Sequence, residues 1–226
     1  MSLTHAPTTP ATAAGTDASV SITARERGDT VYLTTADRWG NMASFIYSIY
    51  DYFGSSISVP GFGFPMNDRG SFFNLDPSSP DVIAPHKRPF LTIIPAFVMK
   101  EGQPLLSFGN MGGDEQAQAQ ATELVEMIDL GMNIQAAGDA ARFHHSQSAD
   151  RVDLESRLYA LVGAQLKAMG DHVRRVAGND DVFGGYQAIL FQASSRSGST
   201  GGGDPPVNGV YHAASDFRKD GEAVGW

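Results

Sequence analysis

The chain has 226 residues, 42% of them hydrophobic and 18% charged, with a formal net charge of -9, a pI near 5.0 and no cysteine. That length and apolar fraction allow one large domain, or at most two small ones. The acidic balance argues against a phosphate-tracking surface and so against nucleic acid as a partner. The lack of cysteine excludes disulfides, thiolate metal sites and a cysteine nucleophile.

No run approaches the roughly 18 consecutive apolar residues of a spanning helix, and residues 1–20 lack the apolar segment of a signal peptide. From this chain alone the expectation is a soluble, cytoplasmic protein with no membrane contact. Residues 6–19, "APTTPATAAGTDAS", are poor in large apolar groups and read as a linker or tail, with the folded part starting near residue 28.

From there, "TVYLTTAD" and "MASFIYSIY" flank "RWGN" and read as a β-hairpin. "FLTIIPAFVM" and "PLLSFGN", separated by "KEGQ", form a second hairpin signal. The period then changes. In residues 115–130, Ala117, Ala121, Leu124, Val125 and Ile128 recur at helical spacing before Gly131, which predicts a helix with one apolar face. Residues 153–169 repeat the pattern with Leu154, Leu158, Leu161, Val162 and Leu166 and stop at Gly170, and "NIQAAGDAARF" predicts a shorter helix between them. Strands return in "HVRRVA", "YQAILFQ" and "NGVYHAA". Strands, helices, strands in that order predict an α+β fold with helices layered on antiparallel sheet, not a βαβ alternation.

Few local motifs point to chemistry. His144 and His145 are adjacent, so on a helix they diverge by about 100°; packing or a helix-end contact is the expectation, not a metal site. The glycines of "GGG" at 201–203 and "GFGFP" at 61–65 lack the context of a phosphate cradle and read as a flexible loop and as turns. No cofactor is called for. "GNMGGDEQ" at 109–116 joins a predicted strand to a predicted helix. There Gly112 and Gly113 admit two readings, a tight turn or a pair of unobstructed N–H groups forming an oxyanion hole.

Four separated segments together resemble the small subunit of the γ-glutamyltransferase (γ-glutamyltranspeptidase) family: "GDTVYLTTADRWGN", "PHKRPFLTIIPAFVMKEGQPLLSFGNMGGDEQ", "IDLGMNIQAAGDAARFHH" and "GVYHAASDFRKDG". The resemblance implies an N-terminal nucleophile hydrolase with an αββα four-layer sandwich, whose precursor cuts itself just before a threonine. Thr30 matches that threonine. Residues 1–29 would then be a linker or large-subunit tail, and residues 30–226 the small-subunit domain. A free α-amine has a pKa of about 7.7–8.0, so an N-terminal threonine carries its own general base.

The resemblance also places a hydroxyl partner of the nucleophile at Ser48, a threonine in typical members, and the oxyanion donors at Gly112 and Gly113. Where typical members hold the amino and carboxylate groups of a γ-glutamyl donor, this chain has Tyr50, Arg69, Phe72, Leu91 and Thr92. The position expected to carry an ammonium-binding carboxylate is Phe72, while Arg69 offers a planar fork for a carboxylate. "TVY" stands where typical members read "TTH", a feature shared with a γ-glutamyltransferase-like subgroup.

The implied activity is amide hydrolysis or acyl transfer through an ester on Thr30, with a donor other than plain γ-glutamyl. A large subunit of the same precursor is the implied partner, and water or an amine the acceptor. Two alternatives stay open: a C–C bond hydrolase of 4-alkylproline antibiotic biosynthesis, and an unprocessed, non-catalytic homologue.

Overall fold

The computed structural model of the protein describes residues 29–177, 180–194 and 207–226; the expected tail at 6–19 and the glycine run at 201–203 lie outside them. In chain order the elements are β1 (Asp29–Ala36), β2 (Met42–Tyr50), β3 (Ala96–Lys100), β4 (Gln103–Met111), α1 (Glu115–Ile128), α2 (Ile134–Asp139), β5 (Phe143–Ser146), β6 (Arg151–Glu155), α3 (Ser156–Met169), β7 (Val173–Val176), β8 (Gly185–Ala193) and β9 (Gly209–Ser215). A single 3-10 turn, Arg69–Phe72, interrupts the long connection between β2 and β3.

β1 and β2 form the first expected hairpin. Its turn is closed by Asp37, whose Oδ1 accepts from the N–H groups of Trp39 at 2.9 Å and Asn41 at 3.0 Å. The main sheet runs β3-β4-β8-β9, antiparallel throughout. Every residue of β4 from Leu106 to Met111 is buried, because the strand is covered on both faces. On one face Phe108 packs with Tyr186, Ala188 and Ile134 beneath α1 and α2. On the other, Tyr32 of β1 lies so close to Gly109 that a Cβ there would stand 2.5 Å from the ring, and Thr34 shares a 2.6 Å hydrogen bond with Ser107. Helices, sheet and hairpin thus make three successive layers of an α+β sandwich.

Helix α1 turns a different face inward from the one its apolar spacing predicts. Glu115, Gln116, Ala119, Gln120 and Glu123 are buried, whereas Ala117, Ala121, Val125 and Ile128 are exposed and Leu124 is half-buried. The inner face works by hydrogen bonding. Gln116 Oε1 accepts from the N–H of Ile94 at 3.0 Å, and Gln120 Nε2 donates to its carbonyl at 2.8 Å. These two amides take the backbone groups a neighbouring strand would use, which is why residues 90–95 of the expected strand "FLTIIPAFVM" run irregularly and β3 begins only at Ala96.

Two further expectations change. Leu154 belongs to β6, and α3 starts at Ser156, ending as expected at Gly170 in the left-handed region. The strands β5 and β6 went unforeseen, and β6, α3 and β7 form one parallel βαβ crossover inside the otherwise antiparallel fold. His144 and His145 therefore sit on a strand and point to opposite faces, where His144 Nδ1 meets Glu115 Oε2 at 2.8 Å at the start of α1.

A charged cluster fills the space between α1, β6 and the chain after β9. Arg142 meets Glu123 at 3.0 Å and Asp216 at 2.7 Å; Arg218 meets Glu155 at 2.6 Å and Asp216 at 3.0 Å. Three carboxylates face two guanidiniums, all almost wholly buried. Burial pushes Glu123 up to about 8, which leaves Glu155 and Asp216 for the two arginines. Between the unfolded carboxyl value of about 4.3 and this raised value, the folded chain holds a proton that the unfolded chain releases. The contribution of Glu123 is therefore most favourable below about pH 4.3 and is lost as pH rises toward 8, at up to about 1.4 kcal/mol per pH unit. Thermal melts of the full precursor between pH 5 and 8 should show Glu123→Gln reducing this loss relative to the parent.

Candidate active site

The site begins at the open end of the hairpin. Thr30 of β1 pairs with Ser48 of β2, and Asp29 with Tyr50, so Ile49 is an extra residue and a bulge falls at the Asp29–Thr30 step. Tyr50 adopts φ +75°, a left-handed backbone uncommon for an aromatic residue. Its N–H folds back to donate to Ser48 Oγ at 2.9 Å.

Ser48 is the hub. Its Oγ accepts from Thr30 Oγ1 at 3.0 Å and from Arg69 Nη2 at 2.8 Å, besides the Tyr50 N–H. Arg69 Nη1 donates to Thr92 Oγ1 at 3.1 Å, so four residues far apart in sequence form one chain: Thr92, Arg69, Ser48, Thr30. Thr30, Arg69 and Thr92 are all buried, and burial holds the Arg69 guanidinium below its ordinary range. Its carbon lies 5.3 Å from the centre of the Tyr50 ring. Tyr50, Phe72 and Phe90 then stack edge to face, with centroids 4.6 and 5.9 Å apart. Leu91 is exposed. The residues matched to donor binding thus gather beside Thr30 through Ser48, apart from Leu91, and the position of the expected carboxylate lies in an aromatic wall.

A groove of about 430 Å³ starts at Thr30 and Gly112 and runs along β1 over the faces of β8 and β9. Gly112 has φ +134°, and a Cβ on it would lie 2.6 Å from Gly184 Cα, so only glycine fits. The carbonyls of Gly112 and Gly113 are taken by the N–H groups of Glu115 and Gln116 at the start of α1. Gly112 borders the groove, and Gly113 is the next residue of the turn. Lys219, Asp220 and Glu222 also line it. They follow β9 in sequence, in a segment without periodicity, and only the fold brings them to the groove. Tyr32, at one of the two positions that depart from the "TTH" of typical members, is buried beneath the hairpin with its hydroxyl 2.7 Å from Ser44 Oγ.

A threonine at the start of a strand, opposite a bulge, bonded to a second hydroxyl and sharing a groove with a strand-to-helix glycine turn over layered sheets, fits an N-terminal nucleophile hydrolase fold. Sequence comparison agrees: the family profile of gamma-glutamyltranspeptidase matches residues 2–226. The chain belongs to that family. It is 34% identical over 201 residues to a glutathione hydrolase-like proenzyme of Bacillus subtilis and 32% identical over 203 residues to an oxamate amidohydrolase proenzyme of Klebsiella pneumoniae. These alignments cover 87% and 88% of this chain but 36% of each relative, so the chain spans about a third of their length. Among solved structures, a cephalosporin acylase of Bacillus halodurans superposes with a TM-score of 0.75 at 36% identity, covering 86% of this chain and 34% of that one. A γ-glutamyltranspeptidase chain of Helicobacter pylori superposes with a TM-score of 0.69 at 28% identity, covering 83% of this chain and 99% of that one.

The two glycines should respond differently to alanine. Gly112→Ala meets both the Gly184 backbone and a forbidden φ, and should cost on the order of 3 kcal/mol or more. Gly113→Ala, at φ +61° with nothing within 4 Å of the added methyl, should cost about 1 kcal/mol. Denaturant unfolding of the full precursor would separate them.

Proposed function

We propose that the chain is the catalytic small-subunit portion of a γ-glutamyltransferase-like hydrolase or acyltransferase that works through an ester on Thr30. The observation that carries this reading is the 3.0 Å hydrogen bond between Thr30 and Ser48, at the head of a groove that Gly112 also borders. In self-cleavage, Thr30 Oγ1 attacks the Asp29 carbonyl. The peptide C–N bond breaks, the acyl group moves to oxygen and the α-amine is released; water then hydrolyses the ester and leaves the Asp29 carboxylate. The bulge at this step takes the bond out of the regular ladder, which favours its exposure to Thr30.

In turnover, Thr30 Oγ1 attacks the donor carbonyl and its proton passes to the α-amine. The N–H groups of Gly112 and Gly113 receive the oxyanion, each such donor being worth about 2.7–4 kcal/mol. The leaving amine departs with the proton, and water or an amine resolves the ester, returning a proton to Thr30.

The remainder of the fold is the proposed partner. Among the described residues β1 and β2 pair only with each other, and the outer face of the hairpin exposes Val31, Leu33, Phe45 and Tyr47. An apolar face of this kind on a two-stranded sheet fits further strands from the preceding part of the precursor. Such strands would fill the length of the groove along β1 and leave its Thr30 end as the site.

The experiment that tests this reading is intact-mass analysis of the full precursor. A small chain beginning at Thr30 is expected from the parent and from Thr30→Ser, and no cleavage from Thr30→Ala; an uncut chain in an active preparation would overturn it.

Donor specificity follows from Phe72. An ammonium gains roughly 1.5–3 kcal/mol from a charge-assisted contact to a carboxylate, and the wall of Tyr50, Phe72 and Phe90 supplies none. A donor bulkier or more apolar than γ-glutamyl is therefore proposed. Steady-state kinetics should give glutaryl-p-nitroanilide a kcat/KM at least equal to that of γ-glutamyl-p-nitroanilide, without the preference of about ten- to a hundredfold for the amino donor that the missing contact would confer.

A further inference from the structure

Arg69 sits where its charge reaches the nucleophile through one hydroxyl. It is 5% exposed, it donates to Ser48 Oγ at 2.8 Å, and Ser48 in turn receives the Thr30 hydroxyl at 3.0 Å. A hydroxyl oxygen has two lone pairs. With the Arg69, Tyr50 and Thr30 donors sharing them, Ser48 Oγ is a poor proton acceptor and can orient Thr30 without deprotonating it. The proton of Thr30 is left for its own α-amine, which must be neutral to receive it.

We propose that Arg69 is a positioning residue that fixes Ser48 as an orienting acceptor and, by its buried positive charge, keeps the freed Thr30 amine neutral at lower pH than an ordinary N-terminus. This rests on the reading of Thr30 as the nucleophile. A cation close to an amine disfavours the ammonium form, and a buried cation is little screened by salt.

Other charged and titratable groups surround the same point. Asp68 adjoins Arg69, and Asp51 and Tyr52 follow β2, with the Asp51 N–H donating to Asp68 at 3.2 Å. Burial, with the Asp68 charge behind it, pushes the Asp51 carboxyl up. Tyr32 lies on β1, and Glu115, paired with His144, stands at the start of α1 beside Gly112. Lys219, Asp220 and Glu222 come from the segment after β9. Asp220 and Glu222 are exposed and so are screened by water. Arg69 is joined to Thr30 through a chain of hydroxyl hydrogen bonds.

The test reads the amine itself. Chains starting at Thr30 after removal of the initiator methionine are co-expressed with the preceding part of the precursor, so no variant depends on self-cleavage. Carbamylation of the Thr30 amine by cyanate is then followed against pH by mass spectrometry of the N-terminal peptide. The parent midpoint is expected below the ordinary range of about 7.7–8.0, and Arg69→Gln, which keeps a donor but removes the charge, should raise it by about one pH unit. Arg69→Lys, which keeps the charge, should hold the parent midpoint. Equal midpoints for the parent and Arg69→Gln overturn the proposal. If the glutamine variant does not accumulate, Arg69→Lys decides: the parent value sustains the proposal and a midpoint in the ordinary range overturns it. Failure of the parent reading is seen separately, as a precursor that stays uncut at Thr30.

Discussion

The double-sided burial of β4 is the constraint on which the rest of the structure depends. Its alternation sends Leu106, Phe108 and Asn110 toward the helices and Ser107, Gly109 and Met111 toward the hairpin and groove. Gly109 admits the Tyr32 ring, and the contact between Ser107 and Thr34 fixes how far β1 lies along the sheet. Thr30 is two residues before Tyr32 on the same face of β1, and Gly112 follows directly on β4. One strand therefore sets the position of the strand that carries Thr30 and of the glycine turn. A one-residue slip would reverse every face of the pair.

On the helix side, the interior is held by polar groups to an unusual extent. The glutamines of α1 stand in for a strand edge at Ile94, and carboxylates and guanidiniums join α1, α2, β6 and the segment after β9. Apolar packing tolerates sliding, whereas such bonds demand one geometry. The segment after β9 is the clearest case. Arg218, bonded to Glu155, Asp216 and the carbonyls of Gly138 and Ala140, pins the chain just before Lys219 enters the groove. The anchoring of that segment is thus bound up with the charge balance of a cluster remote from Thr30 in sequence.

The catalytic reading depends on a smaller constraint of the same kind. Ser48 receives donors from β1, from its own strand's bulge and from the turn at Arg69. Such an oxygen has one orientation available to it, and so does the threonine it holds. The exposed apolar faces of the hairpin and of α1 show the complementary side of this economy: the chain is about a third the length of the relatives it matches, and its described residues build a helix-covered four-stranded sheet beside a hairpin of two strands.

By itself the sequence determined the elements whose signals are local. The first hairpin, the extents of α1 and α3 to within a few residues, the cap at Gly170, and the strands around Tyr186 and Tyr211 follow from periodicity and turn residues, which act over a few positions. Its segments also resembled a family closely enough to single out Thr30, Ser48 and the Gly112–Gly113 turn. Only the tertiary structure decided which face of α1 is buried, since partners at Ile94, Asn110 and Arg142 make glutamine and glutamate the inner residues and no periodicity of apolar groups encodes those partners. It likewise decided that residues 90–95 are not strand, that β5 and β6 exist, that Arg69 reaches Ser48, and that Lys219 lines the groove that starts at Thr30. Each of these depends on atoms tens of residues apart meeting in space, and a hydrogen bond between distant side chains leaves no mark on the local pattern of either one.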